Sequence, residues 1–238
     1  MKIAQIVAPG ASEYERKSQR VDFAALSQAG HQVGVYDDAD VAHIYGARSR
    51  GLAVARSRGV VINAELTLPE AVEEPYWSTN YEPRTTNLIG TFSRKALQNI
   101  IEQTHARLSR TRDDIEWRLF ERPPWPEELA QIAVWVDPAL TDDDKDGFVA
   151  EALVSGLVSG NVVVAARTTI NVGRLEKGRT GFLVPPNDPN ELTHAILAAL
   201  FKPELGLEKL AAARQTISKF RPRQRLRALL PIYESLLR

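Results

Sequence analysis

Two carboxylates stand five residues apart in the stretch DGFVAEALVSGLVSG, Asp146 and Glu151. A carboxylate at a helix start can accept two hydrogen bonds from a vicinal hydroxyl pair such as that of a ribose, a task neutral side chains perform poorly. Gly147, next to Asp146, lets backbone and ligand approach closely. Plainer readings stand beside these. Glu151 also fits an ordinary acid near a helix N-terminus, stabilised by the macrodipole. Asp146 closes the run DDDKD, and an acidic run is usually a solvated loop. Downstream, LVSG occurs twice in succession over residues 153–160.

The elements that must position these residues follow from hydrophobic patterning. Short apolar runs at 2–8, 31–37, 40–46 and 59–65 predict strands, with a helix over 21–30 ending at Gly30 and a second helix, rich in Ala and Arg, before residue 59. Residues 66–84 hold three prolines in mixed polarity and predict an interdomain linker. Alternation resumes with strands at 87–92, 115–121, 133–137, 161–166 and 181–184, and with helices over 94–110 and from about Ala150. Three helical segments follow at 189–201, 204–219 and 224–237. This is an α/β pattern of two Rossmann-like parallel-sheet halves facing a cleft, the N-terminal half reduced. The expected division is residues 1–84 and 85–238. Ligands of such sheets bind at the carboxyl ends of the strands, where helix N-termini offer N–H donors to phosphate.

Composition narrows the classes. The 30 basic and 30 acidic side chains cancel, so no global field draws the chain to nucleic acid or to an anionic membrane. The absence of cysteine excludes disulfides and thiolate chemistry. His31, His43, His105 and His194 form no ligand pattern in sequence, and no metal site is expected. No run approaches the roughly 20 apolar residues of a membrane span, and MKIAQIVAPG reads as a first strand, so a cytoplasmic location is expected.

The stretch from DGFVAEALVSG through NVVVAA to TGFLVPPNDP (180–189) resembles the donor-binding half of the family 4 retaining nucleotide-sugar glycosyltransferases, which have the GT-B fold. The resemblance spans about residues 130–200 and extends more weakly over 87–120. It implies that Glu151 binds the donor ribose and that Asp146, with Gly147 and Phe148, lies near the donor sugar. It makes Arg94 and Lys95 the nearest candidates for holding the diphosphate. In ADVAHIYG, His43 matches the first of two histidine-like positions of the family and is a catalytic candidate, while Tyr45 occupies the second. A lone histidine on a strand is also commonly a satisfied core residue. The family spaces its acid and glutamate eight apart, against five here, and the doubled LVSG adds four residues beyond Glu151. Two readings fit: a helix that begins earlier and runs about one turn longer, or a tolerated local duplication.

The activity so implied is transfer of a sugar from a UDP- or GDP-sugar donor to an unknown acceptor, with retention and without metal or other cofactor. The alternatives are a catalytically inactive GT-B-like binding or scaffold protein, and a subunit that needs a partner. Arg221, Arg223, Arg225 and Arg227 precede the apolar positions of the last helix. Peripheral membrane contact is one use of such a helix. The preferred one is packing its apolar stripe on the body of the protein, which the resemblance implies to be the N-terminal half, with a kink at Pro231.

Overall fold

The computed structural model describes residues 1–8, 11, 13–36, 38–45, 59–62, 78, 81–82, 84–122, 124–140 and 147–238. The Ala- and Arg-rich helix expected before residue 59, most of the expected linker, and Asp146 lie outside them. The first unit comprises residues 1–73 and 219–238, and the second residues 74–218. The terminal helix, which the expected division at residue 84 assigns to the second half, thus belongs to the first unit.

In the first unit, β1 (Lys2–Val7), β2 (Gln32–Gly34), β3 (Val41–Tyr45) and β4 (Gly59–Ile62) form a four-stranded sheet in the order β2-β1-β3-β4. All its pairings are parallel, with Ile3 opposite Val41 and Val41 opposite Gly59. Every residue of β3 is buried, as expected of a parallel strand covered on both faces. Helix α1 runs over Glu13–Gln28, starting eight residues before the expected Val21. Its buried stripe is Lys17, Ser18, Val21, Asp22, Ala25 and Leu26. This is helical spacing, but three of the six side chains are polar, so hydropathy conceals the first turns. Helix α8 (Pro222–Ser235) packs on α1, and its Leu229 and Tyr233 join Ile3, Leu26, Val41 and Val61 in one core. Helix α8 runs through Pro231, which is exposed.

The second unit has β5 (Leu88–Phe92), β6 (Glu116–Phe120), β7 (Val134–Asp137), β8 (Val162–Ala166) and β9 (Phe182–Val184) in the order β6-β5-β7-β8-β9, again all parallel. Helix α2 (Gln98–Thr111) follows β5 through a 3-10 turn at Lys95–Leu97. Together with α6 (Pro189–Phe201) and α7 (Pro203–Thr216) it covers one face, where Ile100, Leu108, Ile196 and Leu210 meet Ile89, Val134, Val136 and Val164. On the opposite face lies Trp135, fully buried and set edge-on to Phe92 with ring centroids 5.6 Å apart. Gly90 pairs with Trp135 across the strands. A Cβ there would come within 2.9 Å of the indole, so the tryptophan occupies the space a larger residue would need. Two short helices escaped the sequence pattern, α3 (Pro126–Leu129) and α5 (Thr169–Arg174), each too short to show periodicity. Trp125 is 59 % exposed, with Arg122 over its ring.

Helix α4 spans Gly147–Val158 and answers the repeat. The first LVSG lies inside it: Leu153 and Val154 are buried, and a Cβ on Gly156 would stand 3.0 Å from Trp135 Cγ. The second ends it. Gly160 adopts φ +77°, with Gly160 N–H bonded to Leu157 C=O (3.2 Å) and Asn161 N–H to Gly156 C=O (3.0 Å). That pair of bonds is a Schellman C-cap. Each glycine therefore serves separately, one for close approach and one for a left-handed cap. The early start at Gly147 agrees with the longer-helix reading, and it makes Glu151 the fifth residue of α4 instead of its first.

Candidate functional site

In both sheets the strand order reverses once, between β1 and β3 in the first and between β5 and β7 in the second. Such reversals leave crevices outside the carboxyl ends of the two strands, where ligands of doubly wound sheets bind.

In the second unit the chain leaves β5 through Ser93, whose N–H bonds Phe120 C=O at 2.8 Å, and enters the 3-10 turn at Arg94 and Lys95. Arg94 is half-buried and Lys95 exposed. Both line a cavity of about 280 Å³ together with Ser93, Gln98, Ile101, Glu102 and Leu119. That volume suits a diphosphate and part of what it carries, since drug-sized ligands occupy roughly 300–1,000 Å³. Two cations beside the start of a helix attract an anion. Glu102, which also lines the cavity, accepts a 2.8 Å hydrogen bond from Gln98 Nε2.

At the neighbouring strand end, Asp137 closes β7 and is buried. Its Oδ2 accepts a hydrogen bond from Asn171 Nδ2 at 3.0 Å, and Asn171 donates also to Ala166 C=O at 3.1 Å. Thr168 caps α5 by accepting from Asn171 N–H. This group ties the ends of β7 and β8 together. Sequence reading missed it; the available signal was an acid ending the apolar strand VWVD.

The motif TGFLVPPNDP braces the same region. A Cβ on Gly181 would lie 2.9 Å from Val163 C=O, so the chain passes close beside β8 as it enters β9. Asn187 adopts φ +53°, and its N–H bonds Ala139 C=O at 2.8 Å, holding the chain that leaves β7. Asp188 then caps α6 through Asn190 N–H and Glu191 N–H at 3.0 and 3.1 Å. Beyond Leu140 the route to Asp146 lies outside the described residues. Gly147 and Phe148 open α4, and Glu151 follows within the same helix.

In the first unit, His43 stands on β3, 0 % exposed. Its Nδ1 lies 2.6 Å from Tyr233 Oη and 3.0 Å from Tyr45 Oη, and its ring stacks on Tyr45 at 4.2 Å. Tyr45 donates to Asp22 Oδ2 at 2.8 Å and accepts from Gln5 Nε2 at 3.1 Å. Arg225 of α8 grips Asp22 with two hydrogen bonds, Nε to Oδ1 at 2.6 Å and Nη2 to Oδ2 at 3.1 Å. The expected catalytic role of His43 finds no exposed face to act from. Its surroundings support the core reading, and Tyr45 shares them.

Burial pushes the Asp22 carboxyl up from its ordinary value, against the pull of Arg225 and Tyr45. Burial likewise pushes the Tyr45 and Tyr233 phenols up, with the Asp22 charge adding to the shift. A raised phenol is neutral in the folded chain at a pH where the unfolded chain has lost the proton. Its contribution to stability is complete below the unfolded value near pH 10 and is lost as pH rises beyond it. An alkaline titration followed at 295 nm should therefore show Tyr45 and Tyr233 ionising only with unfolding. Their reversible ionisation in the folded chain, assigned through Tyr45→Phe and Tyr233→Phe, would contradict this.

No family model matches the chain, and no curated protein matches it by sequence. Solved structures do. A glycosyltransferase from Rickettsia africae superposes with a TM-score of 0.65 at 13% identity, covering 100% of this chain and 99% of that one. The fold is that of the GT-B glycosyltransferases. AviGT4, a glycosyltransferase involved in avilamycin A biosynthesis, gives a TM-score of 0.65 at 12% identity, with 100% and 98% covered. Anabaena HepE, solved in complex with UDP-glucose, gives 0.62 at 12% identity, with 99% and 100% covered. The expected pair of Rossmann-like parallel sheets is thus present, four strands in one and five in the other among the described residues. Among those residues no helix is long and apolar enough to cross a membrane.

Proposed function

We propose that the protein is a glycosyltransferase that takes a sugar from a nucleoside-diphosphate sugar, a uridine diphosphate sugar first among the candidates. The observation that carries this reading is the placement of Arg94 and Lys95 on a cavity at the carboxyl end of β5, bordered by β6 and α2, in a chain with the GT-B fold. The complex of HepE with UDP-glucose directs the choice of base.

In this reading the two cations receive the diphosphate and stabilise the charge that grows on it as the glycosidic bond breaks, so no metal is required. Glu151 accepts hydrogen bonds from the ribose hydroxyls, and Asp146, Gly147 and Phe148 border the donor sugar. His43 is left out of the reacting groups because of its burial. That burial also keeps alive a second reading, a GT-B-like binding protein without turnover. Release of free sugar from UDP-glucose in the absence of acceptor would argue against it.

Titration calorimetry tests the donor site. Replacing Glu151 by Ala should weaken UDP binding by about 1.5–3 kcal/mol, the range for hydrogen bonds to a charged group, or roughly 10- to 150-fold in Kd. Unchanged affinity removes Glu151 from the site.

A further inference from the structure

A helix leaves four carbonyls without partners at its C-terminal end. In α4 these belong to Gly156, Leu157, Val158 and Ser159. The Schellman cap takes the first two, through Asn161 N–H and Gly160 N–H. The other two are taken from far away in sequence. Val158 C=O accepts from Ser78 N–H at 3.0 Å and from Tyr81 Oη at 2.7 Å. Ser159 C=O accepts from Arg84 Nη2 at 2.8 Å, while Nη1 of the same guanidinium reaches Ala130 C=O, just past α3, at 2.5 Å. Asn161 Nδ2 adds bonds to Leu129 C=O and Ile132 C=O.

We infer that Tyr81 and Arg84 are positioning residues: with Ser78 they form a clamp by which the chain entering the second unit fixes α4, and hence Glu151, along the helix axis. Three features support this. The planar fork of arginine can bridge two carbonyls at once, which a lysine ammonium on a flexible stem does poorly. A cation at a helix C-terminus also meets the negative end of the helix dipole. Finally, the contact of Gly156 with Trp135 holds α4 sideways against the sheet and leaves its axial position to whatever grips its ends. The role assigned to Glu151 rests on the proposed function; the clamp itself does not.

Hydrogen–deuterium exchange on the full chain, paired with UDP titration, separates the two. In Arg84→Met the amides of α4 should exchange about tenfold faster while β5, β7 and β8 keep their protection. Arg84→Lys should restore part of the α4 protection, and Tyr81→Phe should give a smaller local loss. The UDP dissociation constant should rise about fivefold or more in Arg84→Met, in step with α4 exchange. Glu151→Ala should lose UDP affinity without loosening α4. If α4 keeps wild-type protection, or if exchange rises equally through the whole second unit, the clamp is overturned. Loosened α4 with unchanged UDP affinity overturns the positioning role alone. Loosened α4 in a chain whose wild type binds no UDP upholds the clamp and overturns the proposed function. Should Arg84→Met fail to fold, Tyr81→Phe, which removes one hydrogen bond, carries the same comparison.

Discussion

Replacing Arg94 and Lys95 together by glutamine should weaken UDP binding by about 3–6 kcal/mol, the sum of two charge-assisted contacts of about 1.5–3 kcal/mol each. That is a loss of roughly two to four powers of ten in Kd. Both side chains line the cavity at the end of β5. The double variant removes both charges and keeps a polar side chain at each position. Salt gives an independent check, since an exposed ammonium is screened and a half-buried guanidinium less so. Raising ionic strength should therefore weaken wild-type binding more than that of Lys95→Gln. Calorimetry at two salt concentrations reads both effects; a double variant within threefold of wild type would move the diphosphate site elsewhere.

The second large effect belongs to the first unit. Asp22→Asn should destabilise the chain by about 3–5 kcal/mol, because it leaves the Arg225 charge buried without a counter-ion. Asp22 is 1 % exposed and Arg225 3 %, so water cannot take the place of the carboxylate. Against a total stability of about 5–15 kcal/mol, the loss should show as a large drop in urea midpoint. Arg225→Met differs in a way that tests the cause. The remaining carboxyl, already pushed up by burial, can escape by binding a proton. A raised carboxyl contributes its stability below the unfolded value near pH 4, and that contribution disappears as pH rises through the folded value. Arg225→Met should therefore recover stability on acidification from pH 7 toward pH 4, and Asp22→Asn should not. Equal pH responses would show that the pair acts through packing alone.

The strands and the last helices were readable because their signals are local. Runs such as NVVVAA are buried on both faces, and α6 begins where Asp188 and Pro189 announce it. Helix α1 was only half readable, since Lys17, Ser18 and Asp22 occupy its buried stripe. What permits a buried aspartate there is Arg225, 203 residues away, and no local pattern encodes that distance. The same reasoning covers His43, whose strand was evident while its tyrosine partners were not. In the second unit TGFLVPPNDP could be read as a motif and as a helix start. Its hold on Ala139 needs the fold, as does the capping of α4 by Tyr81 and Arg84. Backbone carbonyls that find distant partners leave no mark in hydropathy.

The proposed function requires that the second unit bind a nucleoside diphosphate. The direct test is isothermal titration of the purified chain with UDP, and with GDP and ADP in parallel. Saturable one-to-one binding with UDP preferred, lost when Arg94 and Lys95 become glutamine, is the expected result. Absence of binding by all three nucleotides in a folded protein would contradict it.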